Sequence, residues 1–91
     1  MINTYRATIT KVFLGCDNNF GWILSIIYVF GNLGGHYYIP LDRTEKIVEL
    51  FKVVGVKDIN EFKGKEIRVR GDNLLVYSIG NIEKDLWIKL D

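Results

Sequence analysis

Polar and apolar residues alternate from Thr4 to Leu14, the two-residue period of a strand. Tyr5, Ala7, Ile9, Lys11 and Phe13 fall on one side and Arg6, Thr8, Thr10, Val12 and Leu14 on the other, so neither is clearly the core face. Gly15-Cys16-Asp17-Asn18-Asn19 predicts a turn, because Gly and Asn tolerate positive φ and Asp or Asn side chains close local hydrogen bonds. The chain then returns as a strand over Phe20 to Phe30. This strand is apolar on both faces, with Trp22, Leu24, Ile26, Tyr28 and Phe30 on one and Ile23, Ser25, Ile27 and Val29 on the other. Such a strand is either central to a curled sheet or partly covered by another chain. Gly31-Asn32-Leu33-Gly34-Gly35 predicts the next turn, and His36 to Leu41 a short third strand that stops at Pro40.

The period then changes to that of a helix. Ile47, Leu50, Phe51 and Val54 recur at helical spacing over residues 43–54, with Asp42 and Glu45 as a capping box and Gly55 as the stop. Asp58 to Phe62 reads as a single helical turn with a second Asp-x-x-Glu start, closed by Gly64. Lys65 to Arg70 predicts a strand with Ile67 and Val69 inward and Glu66, Arg68 and Arg70 outward. Gly71-Asp72-Asn73 turns it into a hairpin with Leu74 to Ile79, Gly80-Asn81 bends that strand, and Leu86 to Leu90 closes the series. The order β-β-β-α-β-β(-β) is α+β in a single domain over residues 1–91. An antiparallel sheet with the helix on one face and a small OB-like barrel fit it equally.

Composition removes whole classes of function. The chain has 91 residues, with 12 Lys and Arg against 11 Asp and Glu, hence a net charge of +1, which argues against a grip on nucleic acid by phosphate neutralisation alone. One Cys and one His exclude a disulfide framework and a Cys- or His-rich zinc site. No Asp, Glu, Lys or Arg occurs from Asn18 to Leu41, but glycines and Pro40 interrupt that stretch, so a buried strand explains it better than a membrane span. Met1 to Lys11 lacks the basic start and apolar run of a signal peptide, and the expectation is a cytoplasmic protein without membrane contact.

The stretch Phe51-Lys52-Val53-Val54-Gly55-Val56-Lys57-Asp58-Ile59-Asn60-Glu61-Phe62-Lys63-Gly64-Lys65-Glu66-Ile67-Arg68-Val69-Arg70 resembles a group of small phage and prophage proteins of unassigned function. They share a helix ending in Val-Gly-Val, a short acidic-capped turn, then Gly-Lys and a strand with alternating Arg. The end, Ile79-Gly80-Asn81-Ile82 followed by Asp85-Leu86-Trp87, is similar as well, and so is the glycine-aromatic turn of Phe30-Gly31 and Gly34-Gly35 with Tyr37 or Tyr38. That turn departs from the group in carrying Asn32, Leu33 and His36. The resemblance covers residues 30–90, implies a bacterial host cell as the setting, and carries over no catalytic residue.

Constellations that could do chemistry are few. Cys16 and His36 flank one long strand, whose ends lie roughly 25 Å apart, too far for a nucleophile and its base. Asp17, His36 and Asp42 lack the spacing of a metal site, and Gly31 to Gly35 lacks the Lys and following helix of a phosphate loop. No metal, cofactor or catalytic residue is therefore expected. The local charge bias is Lys63, Lys65, Arg68 and Arg70, which reads first as a solvated strand face. On a barrel, Arg68 and Arg70 with Tyr37 or Tyr38 would suit single-stranded nucleic acid.

The expectation is a non-enzymatic phage or prophage accessory protein that acts by binding. The resemblance implies a counter-defence inhibitor, of the anti-CRISPR kind, that blocks or sequesters a host protein of the immune apparatus. The alternatives are an OB-like module for single-stranded nucleic acid or a nucleotide, and a phage structural accessory. Candidate binding residues are His36, Tyr37 and Tyr38 before the helix and Arg68, Arg70 and Asn73 on the basic hairpin. The doubly apolar strand offers Trp22, Leu24, Ile26, Tyr28 and Phe30 as a partner or homodimer interface.

Overall fold

A computed structural model of the chain describes residues 2–72 and 75–90. The elements are β1 (Asn3–Asp17), β2 (Gly21–Phe30), β3 (Leu33–Pro40), α1 (Thr44–Val54), a 3-10 turn (Ile59–Glu61), β4 (Glu66–Gly71), β5 (Val76–Gly80) and β6 (Trp87–Lys89). All six strands form one antiparallel sheet in the order β3-β2-β1-β4-β5-β6, curled into a half-barrel. The class is α+β. Strand β5 pairs with β4 and β6 and not with β3, so β3 and β6 remain edges among the described residues.

The inner face of the half-barrel is lined by Ala7, Ile9, Leu24, Ile26, Tyr28, Ile39, Ile67, Val69, Ile79 and Ile88. Helix α1 closes this face with Leu50, Val53 and Val54, and Phe62 of the following turn is fully buried beside them. Phe51 and Phe62 meet edge to face, with ring centroids 4.8 Å apart. Removing these chains from water is the main driving force for the fold, at about 1.5–3 kcal/mol for each large side chain.

The ambiguous faces of β1 have a physical cause. The register against β2 shifts between Ile9 and Lys11, a bulge that reverses the alternation. Before it Tyr5, Ala7 and Ile9 point inward; after it Val12 does, and Lys11 and Phe13 are turned to the outer face. The 3-10 turn is tied to this point, since Ile9 N donates to Lys65 O at 2.9 Å and Gly64 N donates to Ile9 O at 2.7 Å.

Several expected boundaries move. Strand β1 continues through the expected turn to Asp17, and β3 begins at Leu33, because Gly31-Asn32 alone joins Phe30 to Leu33. The box of Asp42 with Glu45 does not form. Arg43 is the N-cap residue, without a side-chain cap hydrogen bond, because Pro40 O accepts from Arg43 N and holds Asp42 in the preceding turn. At the 3-10 turn the expected acidic pair does cap, though one residue off the reciprocal box: Asp58 Oδ1 accepts from Asn60 N at 2.8 Å, and Glu61 Oε1 accepts from Lys57 N at 3.2 Å. No helix among the described residues is long and apolar enough to cross a membrane.

Candidate functional site: the outer face and free edge of the hairpin

Cross-strand rows order the outer face of the sheet. One row runs Phe13, Ser25, Tyr38 and the next Lys11, Ile27, His36, across β1, β2 and β3. The rings lean together over β2: Phe13 and His36 are near-parallel at 6.4 Å, His36 and Tyr38 lie at 5.7 Å, and Phe20 approaches Tyr38 at 5.7 Å. Beneath them Ser25 is 0% exposed and its Oγ has no hydrogen-bond partner. The rings themselves stay in water, Phe13 at 37%, Tyr38 at 42% and Phe20 at 51% exposure. They form an aromatic ribbon, and Lys11 places its Nζ 5.8 Å from the Phe13 ring centroid.

The basic hairpin lies elsewhere on the same face. Arg68 shares a row with Arg6 on β1, and with Gly80 and Trp87 on β5 and β6. Along β1, Arg6 and Phe13 are about 20 Å apart at the rise of a strand. The Arg68 guanidinium is 4.8 Å and that of Arg70 3.9 Å from the Trp87 ring centroid. Arg68 also donates from Nε to Asn81 O at 2.7 Å and from its terminal nitrogen to Lys84 O at 2.8 Å. Its work is to hold the turn before β6, together with Asn81, which donates to Val53 O and accepts from Glu83 N and Lys84 N.

The proposed residues therefore separate. His36 and Tyr38 stand together on the ribbon, while Tyr37, on the opposite face of β3, packs against the core. Arg68 and Arg70 are joined through Trp87 and are not brought to the tyrosines. Asn73 lies outside the described residues. Of the expected partner strand, Leu24, Ile26 and Tyr28 are buried in the chain's own core, and Phe30 packs against it while remaining partly exposed. Helix α1 joins the same core, lying nearest β5 and β6. Trp22 has the same parity but lies beyond the end of the core and is 60% exposed. Cys16 is exposed, and no group of His, Cys, Asp and Glu among the described residues could hold a metal ion.

On the other side of β3 runs an open cleft of about 550 Å³. Every residue from Leu33 to Pro40 borders it whichever way its side chain points, because the cleft follows the free edge of the strand. Phe30, Arg43, Lys46, Asp72, Val76 and Leu90 also border it, and so does Tyr28, which is only 2% exposed. The Tyr28 ring lies across Gly35 so closely that a Cβ there would collide with it, and burial pushes the Tyr28 phenol above its ordinary pKa. Lys46 Nζ donates to Lys89 O at 2.9 Å, fastening α1 to β6.

Sequence reasoning missed Phe13, Phe20, Arg43 and Lys46. The hairpin register would have placed Phe13 beside Tyr38 had the bulge at Thr10 been foreseen, but a bulge in an alternating strand leaves no compositional mark. Comparison with protein-family models, curated proteins and solved structures finds no match to the chain.

Proposed function

We propose that the chain is a non-enzymatic binding protein whose working surface is the outer face of the β2–β3 hairpin with the end of β1, and that its partner is a protein. The observation that carries this reading is the exposed ribbon of Phe13, His36, Tyr38 and Phe20 on a hairpin without a single Asp, Glu, Lys or Arg from Asn18 to Leu41. Aromatic enrichment with charge depletion is the composition of the centre of a protein interface. Single-stranded nucleic acid would stack on the same rings but also needs cations that follow its backbone. Arg68 and Arg70 are engaged with Trp87 at the far end of the sheet, and among the described residues Lys11 alone makes a cation–ring contact with the ribbon, which supports a protein partner.

The resemblance to phage proteins supplies the setting: a bacterial cytoplasm, with the partner a component of host immunity that is blocked by occlusion. Expression of the chain in an immune-competent bacterium is expected to raise phage plating. The double variant Phe13→Ala with Tyr38→Ala is expected to lose that effect while remaining folded, since both rings are more than a third exposed and neither belongs to the core. No effect of the unaltered chain across several defence systems would refute the counter-defence role, and an undiminished effect of the variant would refute the surface.

A further inference from the structure

The hydrogen-bond phase of the hairpin fixes which backbone groups of β3 are spare. Leu41 N donates to Trp22 O at 2.9 Å, and Trp22 stands opposite Leu41 in the continued register, so this is a hydrogen-bonded pair. In an antiparallel ladder such pairs alternate with non-bonded ones. Leu24 with Ile39, Ile26 with Tyr37 and Tyr28 with Gly35 are then bonded pairs, and the N–H and C=O groups of Gly34, His36 and Tyr38 point away from β2. No backbone group elsewhere among the described residues pairs with them. Pro40, in the same phase, has no N–H, and its carbonyl accepts from Arg43 N, so the spare edge ends there.

A free strand edge usually carries charge to prevent pairing, and β3 has no charged residue from Leu33 to Pro40. Gly34 is a second anomaly. Its φ lies outside the left-handed region, and a Cβ on it would come no closer than 3.6 Å to any neighbouring atom, so nothing within one chain demands a glycine there. Gly35 differs, since the Tyr28 ring would collide with its Cβ. Glycine inside a strand often marks the close approach of another group, and at Gly34 no group of this chain makes that approach.

The order of residues along the edge says what does. Laid antiparallel to itself about His36, the run Gly34-Gly35-His36-Tyr37-Tyr38 sets Gly34 opposite Tyr38 and Gly35 opposite Tyr37, glycine against tyrosine on both sides of the axis. Gly34 with Tyr38 and His36 with His36 then become hydrogen-bonded pairs that use the spare groups of both edges. Tyr38 stands on the outer face at 42% exposure, placed to cover the Gly34 of the other copy, an aromatic ring over an edge glycine. The charged residues bordering the same cleft, Arg43, Lys46 and Asp72, each have a partner within the chain, and the pairing draws on none of them.

We propose that β3 pairs antiparallel with β3 of a second copy about His36, so that two half-barrels share one continuous sheet in a symmetric dimer. The outer rows ending in Tyr38 and His36 run on across the two-fold axis, and the dimer presents both aromatic ribbons on one face. The inference goes beyond the host partner proposed above and does not depend on it.

The test begins with sedimentation equilibrium of the full chain over a range of concentrations, where a doubling of mass is expected. Gly34→Ile puts a side chain under the Tyr38 of the other copy and meets no obstacle in its own chain. It is expected to weaken the dimer by about tenfold or more. The register is read by cross-linking in a Cys16→Ser background, which removes the chain's own thiol. His36→Cys is expected to give a disulfide-linked dimer with oxidised glutathione, since bonded antiparallel pairs hold their Cα atoms about 5.5 Å apart. Ile27→Cys, in the same row but one strand back in each copy, would lie about 14 Å from its counterpart and is expected not to link. Phe13→Ala, on β1, is expected to leave the mass unchanged while weakening capture of the host partner, so the two readings fail separately. A monomer at every concentration, a dimer undiminished by Gly34→Ile, or linkage at Ile27 and not at His36 would overturn the proposal.

Discussion

Ser25 is where the chain accepts a local cost. Its hydroxyl lies under the Phe13 and Tyr38 rings without a hydrogen bond, and an unpaired buried hydroxyl costs about 1–3 kcal/mol. Ser25→Ala removes the oxygen and keeps the small volume the rings need above β2. It is expected to stabilise the protein by about 1 kcal/mol, read as a raised midpoint in urea with an unchanged slope. A loss of stability would mean that the hydroxyl has a partner and that the rings are a structural roof over a polar contact. At this scale the sequence was only partly legible. Ser25 was placed on the correct face of β2, but nothing in its neighbours announces a buried serine. The role of Arg68 was equally hidden, because its partners are backbone carbonyls of Asn81 and Lys84.

Among the elements, the β5–β6 hairpin shows what the C-terminal glycine, asparagine and tryptophan do. Gly80 stands opposite Trp87, and a Cβ on Gly80 would come within 2.5 Å of the indole ring. Asn81 organises the turn, Asp85 Oδ1 accepts from Trp87 Nε1 at 2.8 Å, and the two arginines lie against the ring. Ile79-Gly80-Asn81 with Asp85-Leu86-Trp87 thus serves to fold this corner of the sheet. Gly80→Ala is expected to cost about 1–3 kcal/mol by forcing the ring away, with quenched or shifted tryptophan emission as the local readout. Unchanged stability together with unchanged emission would contradict that packing. Helix α1 and β4 were readable because their periods are clean and end in turn residues: Leu50, Val54, Ile67 and Val69 are all buried as the spacing implied. Strand β1 was not, because its bulge at Thr10 cancels the alternation that a period of two depends on. The cap at Asp42 failed for a tertiary reason, since Pro40 at the strand end sets where the helix starts.

Taken whole, the molecule divides its outer surface into two poles. The first three strands carry the uncharged aromatic ribbon and the free edge, and the last three carry the clamp of arginines on Trp87. Both groups of candidate residues were visible in the sequence. Their separation was not, because it follows from β1 lying between β2 and β4 and carrying Phe13 at one end and Arg6 at the other. The inner face of β2 belongs to the chain's own core, whereas its outer face and the edge of β3 remain open. Function on this account resides in the pole of the aromatic ribbon, where β2 and β3 carry no charged residue, and the proposed partner is a protein.

The most direct measurement is quantitative capture from a bacterial lysate, with and without nuclease, comparing the unaltered chain with Phe13→Ala plus Tyr38→Ala and with Arg68→Lys plus Arg70→Lys. The account predicts a specific protein retained after nuclease treatment, lost with the ribbon variant and kept with the arginine variant. Capture that disappears with nuclease, or that follows the arginines and ignores the ribbon, would contradict it.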